Sequence, residues 1–235
     1  MTEAEFYKQL EWLIEETTAA MAVYDVYEEV HKLALERNDL HTAMLADNAF
    51  WRVHLGALQN ALFGILGRIF DKRKDAHSIM KVIDAAEEHI GFFSHGALAK
   101  RKLGIGPKPD WLDDYIPTAW AGDRQTIGAL KKSLEPHINR YRDVYEPLRH
   151  SYFAHRSLKP EQSVGEMFEQ TNRIEIGETI TYIRDLAEAL RQAYVNGREP
   201  VPGIMNYERE REEHRFAVRS VLEKLSQWPF KGSAV

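Results

Sequence analysis

Residues 3–37 read EAEFYKQLEWLIEETTAAMAVYDVYEEVHKLALER. Phe6, Leu10, Leu13, Ile14 and Thr17 fall at three- and four-residue steps, and Met21, Tyr24, Tyr27, Val30, His31 and Leu35 carry the pattern on. That period gives an α-helix one apolar face and conflicts with the two-residue alternation of a half-buried strand. Thr2 offers a capping hydroxyl, and Glu3 and Glu5 suit the positive end of the helix dipole. Asn38 and Asp39 interrupt the pattern. The stretch predicts one long helix over 3–37, bent near Thr17 and Thr18.

The same period organises the rest of the chain. Leu45, Phe50, Trp51, Leu55, Leu58, Leu62, Ile65, Leu66 and Ile69 predict a buried stripe on a second helix over 40–71. Gly56, Gly64 and Gly67 each cost that helix about 1 kcal/mol relative to Ala, so they predict close approach of another helix. A third helix is capped by Ser78, buries Ile79, Val82, Ile83 and Ile90, and ends near Ser94. Residues 95–122 are punctuated by Gly96, Gly104, Gly106, Pro107, Pro109, Pro117 and Gly122 and predict an irregular insertion, with short helical pieces at best. Asp123 starts a fourth helix, kinked at Pro136 and Pro147 and stopped before Pro160. A short piece near 163–168 and a fifth helix from Arg173 to Tyr194 follow, the latter with Ile174, Ile176, Ile180, Ile183, Leu186 and Leu190 inside and Asn196-Gly197 as its stop. A charge-laced last helix begins at Tyr207, with Phe216, Val218, Val221, Leu222 and Leu225 as its apolar side. The fold class is all-α, a bundle of long antiparallel helices. Residues 1–199 are expected to form the helical domain and 200–235 a linker and C-terminal helical extension.

Of the 235 residues, 44% are hydrophobic, enough for a sizeable core. The net charge of −5 argues against a general basic coat for nucleic acid. The absence of cysteine excludes disulfides and thiolate metal sites and is compatible with a reducing cytoplasm. The opening MTEAEFYKQLEW lacks the basic-then-apolar order of a signal peptide, and no run approaches the ~18 apolar residues of a membrane span. A cytoplasmic protein without membrane contact is expected. No GxxxxGK[ST], GxGxxG or GxSxG occurs, which leaves P-loop, dinucleotide-dependent and α/β-hydrolase chemistry without support. Glu28-x-x-His31 has the spacing of one di-iron ligand pair, but the second pair such sites need is missing. Neither a metal nor a cofactor is expected.

The chemistry concentrates in Leu148-Arg149-His150-Ser151-Tyr152-Phe153-Ala154-His155-Arg156. Arginine is a permanent planar cation that fits phosphate oxygens, and histidine exchanges protons near neutral pH. From His137 to Pro160 five Lys and Arg stand against two acids. On an ideal α-helix Arg149 and His155 lie about 120° apart with about 9 Å of rise, while Arg149, Tyr152, Phe153 and Arg156 share a stripe. For both groups to reach one phosphate, the helix must be distorted at Pro147 or two copies must meet at a two-fold axis.

The segment RHSYFAH resembles the signature of the HEPN superfamily: an arginine, a polar residue that is often Asn, Asp or His, and a histidine a few residues on. Arg149, His150 and His155 occupy the three places. Leu148 and Arg156 around it are similar to the abortive-infection, AbiU-like branch, where an upstream segment ends in Arg-x-x-Asp. Here that segment is Gly67-Arg68-Ile69-Phe70-Asp71. The resemblance covers most of residues 40–196 and implies an HEPN-like helical bundle. It further implies a metal-independent endoribonuclease of the toxin or phage-defence kind. His155 is then the general acid/base, Arg149 the phosphate holder, and His150 the group that orients the pair or shares the proton transfer. Arg156, Tyr152, Arg68 and Asp71 are the expected substrate-side residues, with Asp71 fixing Arg149 or a histidine. A homodimer with its site in the shared cleft, an RNA substrate and an antitoxin partner also follow from the resemblance. Some HEPN toxins carry a tyrosine two residues after the motif histidine, where an antitoxin modifies them; Ser157 stands there in this chain. The competing reading is a non-catalytic helical module that binds nucleotide or protein through a retained phosphate patch. In it Arg68 and Asp71 are a surface ion pair worth roughly 0–1 kcal/mol.

Overall fold

A computed structural model of the protein describes residues 1–73, 75–104, 106–154 and 164–226. Among these residues the regular structure is entirely helical. The order is α1 (Glu3–Glu36), α2 (Asn38–Ala46), α3 (Asn48–Ile69), α4 (Ile79–Glu88), α5 (His95–Leu103), α6 (Leu112–Tyr115), α7 (Arg124–Arg140), α8 (Glu146–Leu148), α9 (Val164–Glu169), α10 (Arg173–Asn196) and α11 (Glu208–Ser226). Short 3₁₀ turns follow α4 and α6, and π-helical turns flank α8. No helix among the described residues is long and apolar enough to cross a membrane.

The chain forms two compact units, Met1–Ala19 with Phe63–Met205, and Ala20–Leu62 with the segment from Asn206 onward. In the first, α10 is buried along nearly its whole length. Asn172 caps its start by accepting from the Ile174 amide at 2.9 Å. Gly197 ends it in the left-handed region, at φ +56°, and a Cβ there would meet Ala119 Cβ at 2.7 Å. Only glycine fits that stop without strain. Glu188, 3% exposed, accepts from Arg191 at 2.6 and 2.9 Å and from Gln192 at 2.8 Å, the pairing that a buried charge requires. α10 packs on α5 and α7, and α4 also packs on α7. Phe6 of α1 enters this core between the rings of Phe93 and Tyr194.

The second unit holds its own small core of Val30, Leu33, Leu40, Val218 and Leu222, with Val26, Met44, Trp51 and Leu55 packed around it. Two buried anions of α1 bind α11. Asp25 takes Arg211 Nη2 at 2.8 Å and lies 3.2 Å from His214 Nδ1, and Glu29 faces Arg219 at 3.6 Å.

Several elements differ from the sequence expectation. The helix expected over 40–71 breaks at Asp47, which has φ −105° and ψ 39°. Asp and Asn compete locally for backbone hydrogen bonds and favour helix ends. Leu45 and Phe50, expected inside, are 60% and 50% exposed. The insertion over 95–122 contains a true helix, α5. Ser94 caps it by accepting from the Ala97 amide, Lys100, Arg101 and Lys102 stand at its negative end, and Gly104 closes it at φ +53°. Close helix approach was expected at all three α3 glycines. Nothing lies within 4 Å of a Cβ at Gly56, and Gly67 is approached by a side chain.

The ion pairs of α11 lead to an expected outcome. Arg211→Ala leaves buried Asp25 with His214 as its remaining neighbour on α11, at a cost of about 2 kcal/mol. Amide exchange along α11 should accelerate about 30-fold relative to the parent protein, since about 1.4 kcal/mol is tenfold. Unchanged exchange would show that Asp25 does not hold the helix.

Candidate functional site

The helical run from Asp123 to Ala154 contains Pro136 and Pro147, neither of which has an N–H to donate. Asp123 caps the run by accepting from the Thr126 amide at 2.7 Å. Below Pro136 the helix stays α-helical to Arg140, then widens to a π-helix over Tyr141–Tyr145, in which the Glu146 amide donates to the Tyr141 carbonyl. After three α-helical residues it widens again over Arg149–Ala154. A proline removes one ladder bond and crowds the carbonyl four residues back, and a wider turn accommodates both effects. The 100° step of an ideal α-helix therefore does not describe residues 149–154. π-turns of this kind recur at functional sites.

Arg149 opens the second wide turn, half-buried. Its side chain lies across the last turn of α3. A Cβ on Gly67 would come within 2.7 Å of Arg149 Cζ and 2.9 Å of Cδ, and closer still to Nε. The Arg149 cation stands close enough to the Tyr141 hydroxyl to favour its ionised form. Tyr141 is itself buried, 3% exposed, with its ring stacked on Phe70 at 4.6 Å. Burial pushes its phenol up to about 12, against the opposing pull of Arg149, so the hydroxyl stays neutral. Asp71 adds a nearby negative charge. Hydrogen bonds from Arg73 hold its carboxyl below the usual range, and the Arg149 cation contributes to the same shift. Gly67 lies in the last turn of α3, and Phe70 and Asp71 follow directly after the helix.

Arg68 points toward α1 instead. Its guanidinium takes Glu16 of α1 in two bonds, at 3.0 and 2.7 Å, and not Asp71. The Asp71 oxygens are occupied by Arg73, through Nε at 3.0 and 3.2 Å and the backbone amide at 2.9 Å. His150 is exposed, with Nε2 3.9 Å from Glu146 Oε1, and Glu146 also accepts from Lys72 Nζ at 3.2 Å. Tyr152 is 47% exposed. The structure thus gathers Arg149, His150 and Asp71 around the end of α3 and directs Arg68 elsewhere. His155 and Arg156 lie outside the described residues. Among the described residues no three His, Cys, Asp or Glu side chains come together to hold a metal ion.

The family model for AbiU2, a HEPN family, matches residues 3–216. The chain belongs to the AbiU2 family of HEPN proteins. No curated protein and no solved structure matches it. The match spans nearly the whole chain, so both the motif helix and the α3 segment ending at Asp71 fall inside the family region. As an AbiU2 protein the chain is of the HEPN abortive-infection type, and its helical architecture agrees with that assignment.

Three residues near Arg149 and His150 escape a reading of the motif alone. Glu146 stands four residues before His150, a spacing that puts both on one helical face and could have flagged it. Gly67 was marked by its helix cost, but nothing in the sequence says which side chain fills the space. Tyr141 is one of ten tyrosines and carries no local signal.

The phenol gives a pH test. The unfolded tyrosine ionises near 10.0, while the folded one keeps its proton to about 12. The stabilisation is therefore complete below pH 10 and is lost as pH rises through 12, by roughly 2–3 kcal/mol at most. In urea titrations between pH 9 and 12, Tyr141→Phe should lose stability less steeply than the parent. Parallel curves would contradict the buried, neutral phenol.

Proposed function

We propose that this AbiU2 protein is a metal-independent endoribonuclease of the toxin or phage-defence kind. The observation that carries the reading is the Arg149 side chain, propped by Gly67, Tyr141 and Asp71 beside exposed His150 at a π-helical turn. A planar cation already held in position needs little reorganisation when charge grows on a phosphate. The ribose 2′-oxygen bonds to the adjacent phosphorus while the bond from phosphorus to the 5′-oxygen breaks. One proton leaves the 2′-hydroxyl for a general base, and one reaches the departing 5′-oxygen from a general acid. The product ends in a 2′,3′-cyclic phosphate, and no water is consumed in this step. His155 carries the proton transfer, His150 orients it or shares it, and Arg149 holds the phosphate. Tyr152 and Arg156 contact the RNA, and Asp71 supports the site from just beyond α3. The protein acts as a homodimer whose two motif helices line one cleft, and an antitoxin protein restrains it.

A second reading, a non-catalytic module binding nucleotide or protein, draws on the pairing of neighbouring cations. Arg73 is bound to Asp71, Lys72 to Glu146 and Arg142 to Asp143, which leaves less positive potential for an extended RNA.

Purified protein should cleave RNA in EDTA and leave cyclic phosphate ends. Arg149→Ala and His155→Ala should each lower the rate about 10²–10³-fold with helicity retained. Activity lost on chelation and restored by Mg²⁺ or Mn²⁺ would overturn the mechanism, and RNA binding without cleavage would favour the second reading. For the dimer, light scattering should give twice the 27.2 kDa chain mass. A mixture of the inactive Arg149→Ala and His155→Ala chains should regain part of the activity. A monomer that cleaves at full rate would rule out the shared cleft.

A further inference from the structure

The AbiU2 chain spends a glycine inside α3, where alanine is the better helix former, and that glycine lies directly under the Arg149 side chain. Nearby Gly56 serves as a reference, because a Cβ there meets nothing within 4 Å. At Gly67 the atoms in the way are the middle of the arginine side chain, which can rotate aside. Adding a methyl at this position therefore displaces Arg149 rather than the helix. Tyr141 is the second residue beside this side chain. Its ring is stacked on Phe70 at 4.6 Å, which fixes where the hydroxyl sits, and the Arg149 cation is near enough to act on that phenol.

We infer that Gly67 and Tyr141 are positioning residues that set where the Arg149 guanidinium stands, Gly67 by leaving space and Tyr141 by its fixed hydroxyl. The inference rests on the reading of Arg149 as the phosphate holder. Neither residue touches substrate; each acts through Arg149. A cation held over a glycine surface and beside a fixed hydroxyl keeps its donors aimed in one direction, and transition-state stabilisation depends on that aim.

The test uses the full chain with ¹⁵N-arginine labelling. The Arg149 Nε–H resonance is identified by its loss in Arg149→Lys. In Gly67→Ala that resonance should move while other arginine resonances stay, and the melting temperature should be unchanged or raised. Cleavage, read as kcat/KM, should fall about a hundredfold, the penalty of a misplacement of about 1 Å. Tyr141→Phe keeps the ring stack and should also move the resonance and lower kcat/KM. Gly56→Ala should alter neither readout. An Arg149 resonance that stays in place in both Gly67→Ala and Tyr141→Phe would overturn the inference, as would a kcat/KM within about twofold of the parent. If the parent chain cleaves no RNA, the nuclease reading fails by itself, and the resonance alone decides whether Gly67 and Tyr141 hold Arg149.

Discussion

One missing backbone donor, at Pro147, shapes the helical run that carries Arg149. A continuous α-helix through the motif would have kept a regular 100° step. Pro136 is held within regular α-helix, whereas a π-helical turn over Tyr141–Tyr145 precedes Pro147, and a second opens at Arg149. Leu148, fully buried just before it, anchors the run in the core. Arg149 is thereby carried onto the end of α3, and every contact described around it follows from that placement.

The site is built from strong charges that are mostly satisfied locally. Asp71 is engaged by Arg73, and Glu146 stands between Lys72 and His150. The arrangement explains how an acidic chain of net charge −5 can present a cationic group without a cationic surface. Exposed pairs of this type contribute little to stability, so their role is geometric more than energetic.

Much of the fold was legible in the chain because helix period and caps are local. Asp123, Ser78 and Gly197 mark boundaries that the structure keeps, and α1 runs as one helix over nearly its expected length. Errors arose where two local signals competed. Glycine and proline density hid α5, although Ser94 and the cations at its end announced it. Apolar spacing hid the break at Asp47. The family, too, was readable, since Arg149, His150, His155 and the Arg68-x-x-Asp71 segment all fall inside the matched region. What could not be read was which side chains meet across the chain. The Arg149–Gly67 approach joins residues far apart in sequence, and Arg68 left Asp71 for Glu16 of α1 because it faces another side of α3.

The second unit is assembled from two pieces of chain that are distant in sequence, and this has a consequence for how the protein is made. Asp25 and the Arg211 that neutralises it are 186 residues apart. On a ribosome adding 5–20 residues per second, the cation follows the anion by roughly 10–40 s. Through that interval Asp25 and Glu29 have no α11 to bury them, and Val30, Leu33 and Leu40 lack Val218 and Leu222. The hairpin of residues 20–62 is thus the last region to mature, although it is among the first to be synthesised.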